Sequence, residues 1–183
     1  MRYTQLIFLL LVVGLSCRQN DQRKKVLEFS SFTIMVPESW DQIRYDGIDS
    51  SIEQIITDEG DSINVEFGQY SAPFDDVIKV YSLKDKAHFD SINWPTQEKI
   101  FSKNSVVEEM QGIYTREYYM YDTIDTHKAK LMIPKKVGQG GIGVYFDSTD
   151  TKGNSLTLYG SRLDTTQHFA MLKAIASIRF KKK

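Results

Sequence analysis

Short runs in which every second residue is apolar constrain this chain most strongly. In residues 32–36, phenylalanine, isoleucine and valine alternate with threonine and methionine, and Pro37 ends the run. Residues 63–67 repeat the alternation after the turn-forming sequence of residues 58–61. Because successive side chains of a β-strand point to opposite faces, this period predicts half-buried strands rather than helices.

Further strands are predicted along most of the chain, and two pairs of them are expected to form hairpins. Residues 51–57 precede the strand at 63–67, and residues 142–146 precede 155–159 across a turn rich in Asp, Gly and Asn. Residues 72–95 fit either a loose helix or, over residues 77–83, a strand, and both interpretations stay open. The remaining strands are expected at residues 40–45, 106–110, 113–122, 127–133 and 178–180.

One segment near the C-terminus predicts an α-helix. Asp164 can act as its N-cap, and Gln167 follows three residues later, a spacing that resembles a capping box. A chain of mainly antiparallel strands that closes with a helix predicts an α+β fold, with a mid-chain helix as an open alternative. The apolar face expected for the terminal helix consists of Phe169, Leu172, Ile175 and Ala176.

The early strand and the end of the chain together carry a resemblance. The pattern Phe32-x-Ile34-x-Val36-Pro37-x-x-Trp40, with a terminal helix running into residues 177–180, resembles the PsbP-like fold of exported and lipid-anchored proteins. The resemblance covers most of the chain after Val26 and implies an antiparallel sheet flanked by helices. It also implies a protein that binds and assembles other proteins, and it brings no catalytic residues with it. Fold similarity does not by itself assign a function.

Residues 1–16 have the layout of a secretory signal. Arg2 supplies a positive charge, residues 6–15 form an apolar run, and the small Ser16 precedes Cys17. The uncharged stretch that contains this run is shorter than the roughly 18 residues that a membrane-spanning helix needs. We therefore expect residues 1–16 to be a signal peptide.

Cys17 is the only cysteine in the chain, so an exported domain would offer it no disulfide partner. The stretch Gly14-Leu15-Ser16-Cys17 resembles a bacterial lipobox of the looser Bacteroidetes type, which ends in Ser-Cys. That resemblance implies lipidation of Cys17 with acyl chains such as palmitate, and two such chains already anchor a protein stably in a membrane. Ordinary cleavage nearby, which would leave a free thiol, is the alternative.

The sequence after the cysteine suggests a short tether and one domain. Residues 17–25 are expected to be the lipidated cysteine and a polar tether, and residues 26–183 a single α+β domain. The basic residues of the tether could touch anionic headgroups or only keep the tether solvated. Arg18 stands where an Asp would resemble an inner-membrane retention signal, which favours the outer membrane, facing the periplasm.

Composition and motifs argue against several classes of function. The net charge of −1 gives no electrostatic footprint for nucleic acid. His88, His127 and His168 have no partner at metal-ligand spacing, so we expect no metal site. The pattern Gly138-x-Gly140-x-x-Gly143 formally matches a dinucleotide motif, but a strand is predicted where that motif needs a helix. We accordingly expect no cofactor, no catalytic residue and no enzyme activity.

The tyrosine-rich hairpin of residues 113–133 has the character of a binding surface. With Ile124-Asp125 as a two-residue turn, Tyr121 would oppose Lys128 and Tyr119 would oppose Lys130 on one face. Tyrosine gives a protein-binding surface area with few torsions, so this face is the candidate contact with a partner. Simple cross-strand packing under a helix is the alternative. The opposite face is expected to be core and carries Tyr118, Met120, Ala129 and Leu131.

These observations predict a membrane-tethered, non-catalytic lipoprotein that acts as a protein-binding or assembly module in the cell envelope. Its partners would be the membrane, through the lipid anchor, and an envelope protein. An immunity-type protein that neutralises a secreted toxin is the first alternative. A hydrolase whose site is assembled from distant residues is the second.

Overall fold

A computed structural model of the chain describes residues 23–45, 51–69, 71–74 and 78–181. The expected signal peptide and Cys17 lie outside the described residues. The first strand begins at Lys24, two residues before the expected start of the domain. The strands are β1 (Lys24–Glu28), β2 (Phe32–Pro37), β3 (Asp41–Tyr45), β4 (Ser51–Ile56), β5 (Ser62–Gly68), β6 (Val80–Ser82), β7 (Ile100–Ser102), β8 (Glu117–Ile124), β9 (His127–Pro134), β10 (Gly141–Phe146), β11 (Ser155–Ser161) and β12 (Arg179–Phe180), and the helices are α1 (Leu83–Ser91), α2 (Ser105–Met110) and α3 (Thr165–Ala176).

Two antiparallel sheets dominate the described residues. The larger one has seven strands in the order β3-β4-β5-β11-β10-β9-β8, and the smaller one has the order β1-β2-β12. The predicted hairpins form as β4–β5 and β10–β11. A short parallel pair, β6–β7, lies apart from both sheets. The α+β fold with mainly antiparallel strands and a C-terminal helix is therefore confirmed.

The core lies against one face of the seven-stranded sheet. Helix α3 packs on β2 and β10 and so joins the two sheets. The alternate residues predicted to be apolar and inward on β2 and β5 are buried, except Phe67, which is partly buried against the core. Phe180 of β12 connects the two sheets through aromatic contacts. Its ring centroid lies 5.0 Å from that of Phe146 on β10 and 6.4 Å from that of Phe32 on β2. The fully buried large side chains include Trp40, Phe32, Phe146, Ile34, Ile55, Ile63, Ile142, Leu156, Leu158, Met171 and Ile178.

A buried carboxylate also connects the sheets. Glu53 on β4 is 5% exposed and accepts a hydrogen bond from Arg44 Nε at 3.0 Å and a short one from Gln42 Nε2. The same Arg44 side chain donates to the carbonyl of Glu28 on β1 at 2.9 Å. Because a buried charge is costly unless it is paired and hydrogen-bonded, these contacts let Glu53 stand among the core residues.

The N-terminus of α3 forms as predicted, but only half of the capping box is present. The Asp164 side chain accepts a hydrogen bond from Gln167 N at 2.8 Å. The Gln167 side chain does not return to the cap; its amide donates to the Asp58 carboxylate at 2.6 Å. Gln167 thus fastens the helix to the β4–β5 turn.

The predicted apolar face of α3 is wrong for two of its four residues. Ile175 is buried and Leu172 is half-buried against the core, but Phe169 is 55% exposed and Ala176 is exposed. Apolar residues occur on more than one side of this helix, and the positions of β2 and β10 select the side that packs. The buried positions of the helix are Gln167, His168, Met171, Ala174 and Ile175.

The strand predicted at residues 106–110 is also wrong, because this segment is helix α2. Val106 and Val107 face solvent, so their β-branched side chains gain no stabilisation from packing on a sheet. Glu109 accepts a hydrogen bond from Val80 N at 2.8 Å, which ties the helix to β6. In the segment left open, residues 80–82 form a strand and α1 follows at once from an N-cap at Ser82.

Candidate functional site

The turn of the tyrosine-rich hairpin lies one residue later than expected. Ile124 pairs with His127, and the two turn residues are Asp125 and Thr126, with φ of +46° and +69°. Asp125 tolerates a positive φ and is central in both the predicted and the observed turn, and Thr126 takes the second central position in place of Ile124. Ile124 is instead buried in the core. The predicted Ile124-Asp125 turn is therefore wrong.

This shift changes the directly opposed pairs but keeps the predicted face. Tyr121 is opposite Lys130 and Tyr119 is opposite Met132. The change amounts to two residues of register, and side chains alternate faces with a period of two, so the tyrosines and lysines stay on the same side. The expected contacts occur along diagonals: Lys128 Nζ lies 4.6 Å from the Tyr121 ring centroid and Lys130 Nζ 5.2 Å from that of Tyr119.

We call the four residues Tyr119, Tyr121, Lys128 and Lys130 the tyrosine–lysine face. It lies on the side of the seven-stranded sheet that faces away from the core. Tyr121 is 66% exposed and Tyr119 is half-buried. A lysine ammonium within about 6 Å of an aromatic ring is attracted to it, so the lysine stems and the rings support each other.

A surface cavity of about 240 Å³ opens on this face. Three residues of the tyrosine–lysine face line it, together with residues that the sequence analysis did not select. Tyr145 donates a hydrogen bond from its hydroxyl to the Asp147 carboxylate at 3.0 Å. Tyr145 lies directly opposite Lys130 because β9 pairs with β10, a pairing that local spacing does not reveal. The lining residues are Pro73, Tyr121, Lys128, Lys130, Tyr145 and Asp147.

Residues 71–74 cross the same side of the sheet and bound the cavity. The Thr157 hydroxyl donates to the Ala72 carbonyl at 2.9 Å, and Lys130 Nζ donates to the Phe74 carbonyl at 3.2 Å. The Phe74 ring lies above Gly143, where a side chain would collide with it. A second cavity, of about 270 Å³, opens beyond this segment and is lined by Asn64, Glu66, Ala72, Pro73, Phe74, Met132, Thr157 and Tyr159.

The opposite face of the hairpin is core on β9 and, on β8, at Ile124. Ala129 is fully buried, and Leu131 is partly buried against the core. Tyr118 and Met120 on β8 are 58% and 49% exposed, so the prediction that they are core is wrong. Helix α3 covers β10, and β8 lies two strands further along the sheet, beyond its contacts.

The three histidines occupy different environments. His88 is exposed on α1, and the His127 ring lies 4.3 Å from that of Phe180. His168 is buried in the first turn of α3, and its Nδ1 has no hydrogen-bond partner in the structure. Within the described ranges, no group of three His, Cys, Asp or Glu side chains is placed to hold a metal ion.

Burial of His168 predicts a pH-dependent stability. Removal from water lowers the pKa of His168 below its ordinary value of 6.5, because burial disfavours the charged ring. The unfolded chain then binds the proton more readily than the folded chain. The free energy of unfolding should therefore fall as the pH drops from about 6.5 towards the lowered pKa. Urea unfolding at several pH values across this range gives the free energy of unfolding. Its change per pH unit should be smaller for His168→Gln than for the wild type. Phe169→Gln, at the exposed neighbouring position, should keep the wild-type pH dependence of the free energy of unfolding. An equal pH dependence in all three proteins would contradict its assignment to His168.

A comparison with protein-family models and with curated proteins finds no match for this chain. Among the helices that the structure describes, none is long and apolar enough to cross a membrane.

Proposed function

We propose that this chain is a membrane-tethered, non-catalytic lipoprotein of the cell envelope that binds another protein through its tyrosine–lysine face. The observation that carries the proposal is the open cavity of this face, where the exposed Tyr121 meets Lys128 and Lys130. The lipobox-like sequence at residues 14–17 supports the anchor, and Arg18 after the cysteine supports placement at the outer membrane. The PsbP-like pattern supports a binding role.

The edge of the sheet beside this face supports recognition of an extended partner segment. Among the described strands, β8 pairs only with β9, so its other side offers backbone N–H and C=O groups. β8 is eight residues long, contains no proline, and is mostly exposed. Such an edge is a ready template for an added strand, whose backbone would supply affinity. Alternate side chains of that strand would lie beside Tyr119 and Tyr121.

The lysines define the side chains that such a partner would present. Lys128 and Lys130 place two ammonium groups at the cavity, and Asp147 is the carboxylate that lines it. A partner segment with carboxylates at alternate positions would approach the lysines while its apolar atoms cover the tyrosine rings. The proposed occupant is therefore an extended, acidic segment of an envelope protein.

Crosslinking in living cells tests both parts of the proposal. A photo-crosslinking residue is placed at Thr123, which is exposed on β8, or at Phe169, which is exposed on α3. We expect one reproducible partner from position 123 and not from position 169. Mass spectrometry of the N-terminal peptide should show acyl chains on Cys17. An unmodified Cys17 would contradict the anchor, and identical products from both positions would contradict the binding face.

Replacing the tyrosines should weaken partner capture more than it weakens the fold. Tyr119→Ser with Tyr121→Ser removes both rings, and loss of two central aromatic contacts typically reduces binding by about tenfold or more. The melting temperature should change little, since Tyr121 is largely exposed. Phe169→Ser is the matched control, because it removes an exposed aromatic ring elsewhere and should leave capture intact. A large loss of stability in the double variant would instead assign the tyrosines to packing.

A further inference from the structure

A third cavity, separate from the two described above, is lined by basic side chains. It measures about 410 Å³ and lies where the start of β8, the loop after β9 and the end of β11 come together. Four of the residues that line it are cationic, although the whole chain carries a net charge of −1. The lining residues are Thr115, Arg116, Lys135, Lys136, Gly138, Gln139, Gly140 and Arg162.

Most of this positive charge is not neutralised by neighbouring side chains. In the part of the chain that the structure describes, no salt bridge involves Arg116, Lys136 or Arg162. Lys135 donates to the carbonyl of Gly112 at 2.8 Å and to the Thr115 hydroxyl at 3.1 Å. The carboxylate of Glu117 lies beside Gly140 at the cavity and accepts a hydrogen bond from Gly141 N at 2.9 Å. The cavity therefore favours an anion.

Arg162 occupies a backbone position that suits glycine better than arginine. Its φ is +58°, in the left-handed region, and its N–H donates to the Gly140 carbonyl at 2.8 Å. That conformation is uncommon for residues other than Gly, Asn and Asp and carries a cost in free energy. Glycine could make the same backbone hydrogen bond at less cost. What arginine adds at this position is the guanidinium beside the cavity.

Exposed apolar side chains precede this basic cavity along the chain. The turn of residues 111–116 leads from α2 to β8, and Lys135 holds that turn through Gly112 and Thr115. Ile113, within the same turn, is 54% exposed. On α2, which ends one residue before the turn begins, Val106, Val107 and Met110 are 70%, 53% and 83% exposed. An exposed apolar segment that leads along the chain into a cationic cavity matches the chemistry of an anionic lipid surface.

We propose that the basic cavity binds the phosphate group of an anionic lipid, with the exposed apolar side chains of α2 and of the turn after it in contact with the acyl chains. Arg116 and Arg162 supply planar N–H donors that match phosphate oxygens, and Lys136 adds a point charge. This contact is separate from the acyl anchor and from the tyrosine–lysine face. It would orient the domain on the membrane rather than only hold it nearby.

Titration of the full chain in neutral maltoside micelles tests the proposal without interference from the anchor. The ligands are phosphatidylglycerol, the zwitterionic phosphatidylcholine and inorganic phosphate, and the readout is the NMR shift of the arginine Nε–Hε groups. We expect saturable shifts with phosphatidylglycerol at low salt, weaker binding as salt is added, and little response to the other two ligands. An equal response to inorganic phosphate would overturn the lipid assignment, and no response to any ligand would overturn the site.

Two variants identify the residues that bind. Arg162→Gly and Arg116→Gln should each weaken phosphatidylglycerol binding roughly fivefold, the value expected for one cation near an anionic surface. Arg162→Gly relieves the left-handed strain, so its melting temperature should not fall. Lys152→Gln, in the β10–β11 turn, removes one charge away from the cavity and should bind as the wild type does. Equal weakening by Lys152→Gln would show only general charge attraction and would overturn the proposal.

Discussion

Replacing Phe146 by alanine should destabilise the protein by about 3–5 kcal/mol, the range typical for truncation of a buried phenylalanine. Phe146 is fully buried on β10, and its ring meets the Phe180 ring edge-on at 5.0 Å. The variant loses this contact and leaves a cavity between the seven-stranded sheet and β12. For a chain of this size, such a loss lowers the melting temperature by roughly 10 °C. Thermal unfolding followed by circular dichroism measures it.

Phe169→Ala is the control for the Phe146 prediction. It removes the same atoms from α3, where the ring is 55% exposed, and should change the free energy of unfolding by about 0.5 kcal/mol or less. Equal destabilisation by the two variants would mean that the core does not lie between α3 and the seven-stranded sheet as described.

Replacing Gly143 by alanine should destabilise the protein by about 1–3 kcal/mol or more, because the added methyl group has no room. A Cβ atom at this position would lie 2.3 Å from the Leu158 carbonyl oxygen and 2.8 Å from the Phe74 ring. The carbonyl belongs to the neighbouring strand β11 and cannot rotate away as a side chain can. Urea unfolding, with the unfolding midpoint and its slope fitted together, measures the effect.

Two further variants separate the causes of the Gly143 effect. Gly143→Ala combined with Phe74→Ala should remain destabilised, since removing the ring leaves the Leu158 carbonyl in place. Gly160→Ala on β11 should be milder, because its Cβ would meet flexible side-chain ends of Leu163 and Ile63 at 3.1 and 3.3 Å. Full recovery of stability in the double variant would contradict the assignment to the backbone contact.

The Gly143 position also explains why a dinucleotide pattern in this sequence has no matching structure. Gly138 and Gly140 have φ of +80° and +101° and belong to the loop before β10. Gly143 lies within β10, beneath Phe74. The three glycines thus serve a loop and a close packing contact. The strand predicted at residues 142–146 is confirmed as β10, whereas the packing role of Gly143 depends on the position of Phe74.

Local sequence spacing predicts some features of the tyrosine–lysine face and not others. Alternation correctly placed the two tyrosines and two lysines on one side of a hairpin. It did not identify the turn, because Ile124 and Thr126 are both β-branched, and only the burial of Ile124 in the core places Ile124 in the strand. It also did not find Tyr145, which reaches the cavity only through the pairing of β9 with β10.

Local chemistry alone was sufficient for the strands of the seven-stranded sheet, the two hairpins and the start of α3, but not for β1, β7 or residues 106–110. Side-chain alternation, turn residues and the Asp164 cap act over a few residues, so their effect is visible in the sequence. Other features depend on contacts between distant segments. The side of α3 that packs, the exposure of Tyr118 and Met120, and the basic cavity at Arg116 and Arg162 follow from strand order. Strand order is selected by burial summed over the whole core, and no single segment carries that free energy.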